Sequence, residues 1–219
     1  MKRLFFVLAA AVVWASPAGG SDIRDTLVRT GPSRNYVRLN LPKGVSVELP
    51  RNWVAVSGNT RQTLDAAVEA MTSTVDQPQS ELPFAANLYD DGGKAIAIFN
   101  IRYYPAMDIS QDDVRESTRA DIDAFDEELH ASMDQSMSGA GMRVLTWLGT
   151  RRIAAGSKTV LLSEYRRAGL KGSSPFHVTL FRVLDTSKSF TITYSYDEAL
   201  AILLKPIANR VISSVQSSP

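Results

Sequence analysis

The chemistry open to this chain is set by two histidines, one run of carboxylates and two arginine pairs. His130 stands beside Asp126, Glu127 and Asp134. A zinc site there needs further nitrogen or sulfur ligands, and its neighbours offer only carboxylates, so His130 reads as a solvated surface residue. His177 shares strand parity with Thr179 and Phe181 and reads as a half-buried strand residue. Asp121, Asp123, Asp126, Glu127 and Glu128 crowd one segment. Paired acids of the glycosidase kind must face one cleft, whereas helical spacing sets these opposite Phe125 and Leu129, on a solvated face. Asp121, Asp123 and Asp126 are the calcium candidates, although Asp-Ile-Asp-Ala-Phe-Asp lacks the loop glycine and alternating ligands of an EF-hand.

Nucleophilic catalysis asks for an activated Ser or Cys on a strained turn with a base in reach. The chain has no cysteine, no Gly-x-Ser-x-Gly and no Ser-x-x-Lys, and Gly172-Ser173-Ser174 reads as a hairpin turn. Nor is there a glycine-rich phosphate loop. The expectation is a chain without catalytic residues or cofactor. The arginine pairs suit a different task. Arg151-Arg152 and Arg166-Arg167 near strand ends, with Tyr103 and Tyr194 (and Tyr104 and Tyr196) as rigid aromatic anchors, have the composition of a docking patch.

These residues need elements to hold them. Tyr36–Asn40 and Val45–Leu49 alternate and predict strands around a Pro42-Lys43-Gly44 turn, with Trp53 plugging the core. Asn59 or Thr60 caps a helix carrying Leu64, Ala67, Val68, Met71 and Val75 on one face. Pro78 and Pro83 fence off a loop. Phe84–Tyr89 and Ala95–Tyr104 flank Asp90-Asp91-Gly92-Gly93, a hairpin signal, and Pro105 ends the second strand. Ser110-Gln-Asp-Asp113 opens one long helix with Val114, Thr118, Ile122, Phe125, Leu129, Met133 and Met137 inward, stopped by Gly139 or Gly141. Strands follow at Met142–Leu148, Lys158–Arg166, Phe176–Leu184 and Phe190–Tyr196, the last three as a meander. Asp197 caps a closing helix with Leu200, Leu203, Leu204, Ile207, Val211 and Val215 inward, and Pro206 predicts a kink or fresh start within it. The sheet is then largely antiparallel with helices against its faces, an α+β fold.

That order, with Val45-Ser-Val-Glu-Leu-Pro-Arg-Asn-Trp53 early and Leu204-Lys-Pro-Ile-Ala-Asn-Arg-Val-Ile-Ser-Ser214 late, resembles the PsbP-like superfamily, which includes periplasmic domains of the DcrB type and the Ran-binding Mog protein fold. The resemblance implies an α/β/α sandwich and a non-enzymatic family whose members dock onto other proteins. It carries over no site residue.

Lys2-Arg3, the apolar run Leu4–Ala15 and Ser16-Pro17-Ala18 have the layout of a secretory signal peptide, cut after Ala15 or Ala18. Twelve helical residues cover about 18 Å, short of a hydrocarbon core of roughly 30 Å. The expected organisation is a leader over 1–18, a lead segment over 19–33 and one domain over 34–219, placed in the periplasm. The whole chain carries a net charge of +1, which gives no general pull on nucleic acid. Residues 110–138 hold nine acids against two arginines. The partner expected is another periplasmic or envelope protein. The competing expectation is a small-molecule binder or hydrolase with a cleft between the long helix and the sheet, using His177 or the helix acids.

Overall fold

The computed structural model describes residues 35–59, 81–104, 108–139, 141–155, 157–169 and 173–217. The leader, the lead segment and the helix expected over residues 60–75 lie outside the described residues. In chain order the elements are Tyr36–Asn40 (β1), Val45–Pro50 (β2), Val54–Ala55 (β3), Glu81–Tyr89 (β4), Ala95–Tyr104 (β5), Gln111–Glu116 (α1) and Arg119–Gly139 (α2). Val144–Ala155 (β6), Lys158–Arg167 (β7), Phe176–Val183 (β8), Ser189–Asp197 (β9), Ala201–Ser213 (α3) and Gln216–Ser217 (β10) complete them. Two sheets form, in the orders β1-β2-β10 and β3-β4-β5-β9-β8-β7-β6. Every pairing is antiparallel.

Side chains alternate across a strand, so the central strands serve two cores at once. Val160, Leu162, Phe181, Val183, Phe190 and Ile192 pack with Leu204, Ala208 and Val211 of α3 and with the inner residues of the small sheet. Leu161, Tyr165, Val178 and Leu180 take the other face, against Phe125, Leu129, Met133 and Met137 of α2. The molecule is therefore an α+β sandwich with helices on both faces of an antiparallel sheet, as the strand count predicts. Trp53 is buried in the first core. The separate small sheet is an addition to the expectation. It is tied to α3 by Glu48, which pairs with Arg38 and Arg210 at 3.2 Å each and whose N–H donates to Ser214 Oγ at 2.8 Å. The early and late motifs that carried the resemblance thus touch one another.

The long helix is two helices. Ser110 and Asp113 form the expected capping box, but α1 stops at Glu116 and Ser117 is extended, with φ −51° and ψ 131°. Thr118 is exposed rather than inward, because it starts α2: its N–H donates to Asp121 Oδ2 at 2.8 Å and its Oγ1 accepts from Asp121 N at 3.2 Å. Thr-x-x-Asp is a second capping box inside the same apolar stripe. Each cap contributes about 1 kcal/mol, against about 1.5–3 kcal/mol for each of the four buried α2 side chains, so burial holds α2 and the caps set its start.

Three further expectations are corrected. Pro83 lies within β4, not in a loop; it falls in the register shift between Glu81 and Phe84, where a missing donor costs the ladder nothing. The strand expected to end at Leu148 runs on to Ala155, passing a register shift where Gly149 adopts φ +94°. Pro206 sits inside an unbroken α3. The fresh start comes earlier, after the 3-10 turn Glu198–Leu200 that Asp197 caps through Ala199 N. Leu203 consequently faces solvent, 68% exposed, because the inward stripe is Leu204, Ala208 and Val211.

Candidate functional site

Strand β6 closes one end of the seven-stranded sheet and, among the described residues, pairs only with β7. Its twelve residues leave an outer row of backbone donors and acceptors without a strand neighbour among the described residues. Two register shifts mark it, between Val144 and Thr146 and between Trp147 and Gly149. The extra residues are Leu145 and Leu148, and these are exposed to 37% and 50%. Beyond them Thr150–Ala155 pairs with β7 in unbroken register. The edge therefore offers a regular extended half beside two apolar side chains lifted out of the pleat by bulges.

Adjacent strand residues face opposite ways, so each arginine pair is split. Arg151 and Arg166 lie on the α3 face, where Arg151 binds Glu164 at 2.5 Å and Arg166 holds Glu198 through Nε and Nη2 at 2.7 and 2.5 Å. Arg152 and Arg167 turn the other way. Arg152 Nη1 donates to the carbonyls of Val114, Arg115 and Ser117 at 3.2, 2.5 and 2.7 Å, closing the end of α1. Arg167 is buried with its guanidinium 4.5 Å from the Phe176 ring centre. Tyr103 and Tyr194 are buried as well. Tyr103 donates to the Pro42 carbonyl, burial pushing its hydroxyl up to about 12; Tyr194 packs on Trp53 with ring centres 5.5 Å apart. The six proposed docking residues therefore do not form one patch: Arg167, Tyr103 and Tyr194 are core, Arg152 is a cap, and Arg151 and Arg166 remain at the surface.

The histidines are more engaged than their spacing suggests. His130 stacks on Trp147 with ring centres 4.8 Å apart and lies 3.4 Å from Asp134. Trp147 also stacks on Tyr165 at 5.6 Å and donates to Asp126 Oδ1 at 2.9 Å, tying α2 to β6. His177 stacks on Tyr196 at 5.2 Å, and its Nε2 lies 3.3 Å from Glu164 Oε1. Hydrogen bonding from His177, with Arg151 adding its charge, holds Glu164 well below the usual carboxylate range, at about 2. His177 is on the α3 face and the helix acids are on α2, so these two cannot line one cleft. The calcium candidates also go separate ways: Asp121 caps α2, Asp123 pairs with Arg119 at 3.4 Å, and Asp126 binds Trp147. No group of three or more His, Asp or Glu among the described residues could hold a metal ion.

Against this geometry the comparison with solved structures is decisive for the fold alone. The chain superposes on cyanobacterial PsbP from Synechocystis sp. PCC 6803 with a TM-score of 0.54 at 12% identity, covering 88% of this chain and 99% of that one. The fold is PsbP-like. LpqN of Mycobacterium tuberculosis, described as involved in cell envelope biogenesis, also matches, with a TM-score of 0.43 at 8% identity over 80% of this chain and 83% of its own. No protein-family model matches, and no curated protein matches in sequence.

Within the PsbP-like fold, the residues that sequence reasoning missed are Leu145, Leu148, Trp147 and Glu164. The bulges hid the first three, because one inserted residue inverts the alternation used to assign faces. Glu164 shares the strand parity of Leu162 and had no local signal, since its partners come from neighbouring strands.

Proposed function

We propose that this chain is an exported, non-catalytic domain that binds a partner in the envelope through the open edge of β6. The observation that carries the reading is the regular run Thr150–Ala155 beside exposed Leu145 and Leu148. An extended segment of a partner protein adds to that edge by main-chain hydrogen bonds, and the two leucines receive its apolar side chains. The apolar run Leu4–Ala15 of the leader expected over residues 1–18 supports the export reading, and no described helix is long and apolar enough to cross a membrane. A non-catalytic role fits the PsbP-like fold and the separate engagement of the acids and histidines.

The test places a photocrosslinking side chain at Leu148, at Thr150 or, as a control on α3, at exposed Ile202 in cells of the source organism. The reading expects one discrete adduct from Leu148 and Thr150, none from Ile202, and loss of the Leu148 adduct when proline replaces whichever of the adjacent Ile153 and Ala154 directs its N–H to the open edge. Adducts from Ile202 alone, or an adduct that survives the proline, would overturn it.

A further inference from the structure

On the α2 face of the large sheet one row runs Arg102 on β5, Thr191 on β9 and Arg182 on β8, each in register with the next. The adjoining row runs Asn100, Thr193 and Leu180. Arg182 is 1% exposed, and Asn100 is equally buried. A guanidinium stays charged in a protein interior, and an unpaired buried charge is among the costliest groups a fold can carry. Arg182 nonetheless has no carboxylate partner among the described residues. Its Nη1 donates to Ser163 Oγ at 2.9 Å, the Phe125 ring lies 5.8 Å away, and the hydroxyls of Tyr104 and Tyr165 interact with it electrostatically. Among the described residues its Nε and Nη2 have no hydrogen-bond partner, and neither has either amide atom of Asn100.

The identity of the unused atoms specifies the missing chemistry. Nε and Nη2 form the edge of a guanidinium that takes two oxygens of one planar anion. Arg166 uses the same two nitrogens on Glu198, at 2.7 and 2.5 Å. We propose that Arg182, with Thr191 and Asn100 on the neighbouring strands, forms a buried site for a small oxyanion, a carboxylate or a phosphate, on the α2 face of the large sheet. The site is independent of docking at β6: it lies inside the sandwich, on the sheet face opposite Arg151.

The experiment titrates the chain starting at Gly19 with sodium acetate and, separately, inorganic phosphate, at constant ionic strength made up with chloride. Calorimetry reads stoichiometry, and the melting temperature reads linkage. At about 100 times the dissociation constant, linkage raises the melting temperature of a domain this size by roughly 5–10 °C. The proposal expects one site per chain, that shift for acetate or phosphate above the chloride baseline, and its loss in Arg182→Met. Arg182→Lys, which keeps the charge without the two-nitrogen edge, should bind at least tenfold more weakly. Acetate binding without phosphate assigns a carboxylate, and the reverse a phosphate. No heat and no shift with either anion in the unmodified chain overturns the site and leaves internal water as the partner of Arg182. This readout stands even if the variants fail to fold.

Discussion

Glu164 accepts from Arg151 and from His177 on a half-buried part of the sheet, and those hydrogen bonds hold its carboxyl at about 2 rather than the usual 4.5. A carboxyl whose folded value is depressed stabilises the fold fully above its unfolded value, and that stabilisation is lost as pH falls through the folded one. The window is therefore about pH 4.5 down to about pH 2. Glu164→Gln should be less stable than the unmodified chain at pH 7, and the difference should shrink toward zero across that window in urea melts. A constant difference from pH 7 to pH 2 would show that the side chain acts by packing alone. Glu164 also shows where reading one residue at a time stops. His177 was legible as a half-buried strand residue because its parity with Phe181 is local. Its partner thirteen positions earlier was not, since that contact is created by the β7–β8 register. Arg151-Arg152 and Arg166-Arg167 misled for the converse reason: adjacency in sequence means opposite faces on a strand.

At the scale of elements, most strands were legible because a two-residue period with turn residues between runs has a single solution. The β8 and β9 strands came within a residue of their observed ends, and Asp90–Gly93 turns as expected, Gly93 taking φ +77°. The division between α1 and α2 was not seen, because the apolar stripe runs on from Val114 to Ile122 while Thr118 changes role from stripe to cap. That assignment is testable. Thr118→Ala should cost about 1 kcal/mol, lowering the urea midpoint without changing the slope. Ser110→Ala should cost less, since α1 is six residues long and buries only Val114. Equal losses would mean that the two segments behave as one helix and that the extended Ser117 is not a true boundary. The same logic explains β6. Its alternation fails at Leu145 and Leu148 because a strand paired on one side accommodates bulges more readily than one paired on both.

Among the described residues the two larger apolar cores are separate, one between the large sheet and α3 with the small sheet, the other between the large sheet and α2, and a small third cluster gathers Val56, Leu82, Ala85, Ile98 and Phe176. The two larger cores share their walls: Leu161 serves one while Val160 and Leu162 serve the other. Losing either core exposes the reverse face of strands that the remaining core needs, so the two should melt together despite the absence of disulfides. The tryptophans report on this separately, because Trp53 lies in the first core while Trp147 packs against the second and bridges α2 to β6. In the chain from Gly19, which lacks Trp14, Trp147→Phe leaves fluorescence from Trp53 only, and Trp53→Phe leaves Trp147 only. Within each variant the fluorescence and far-ultraviolet dichroism transitions in urea should superimpose, whatever the change in midpoint between variants. If Trp147 fluorescence fell at lower urea than the dichroism while Trp53 kept pace with it, α2 and the β6 edge would form a unit that opens on its own. The edge offered to a partner would then be the least stable part of the sandwich, and binding there would have to supply the free energy of ordering it.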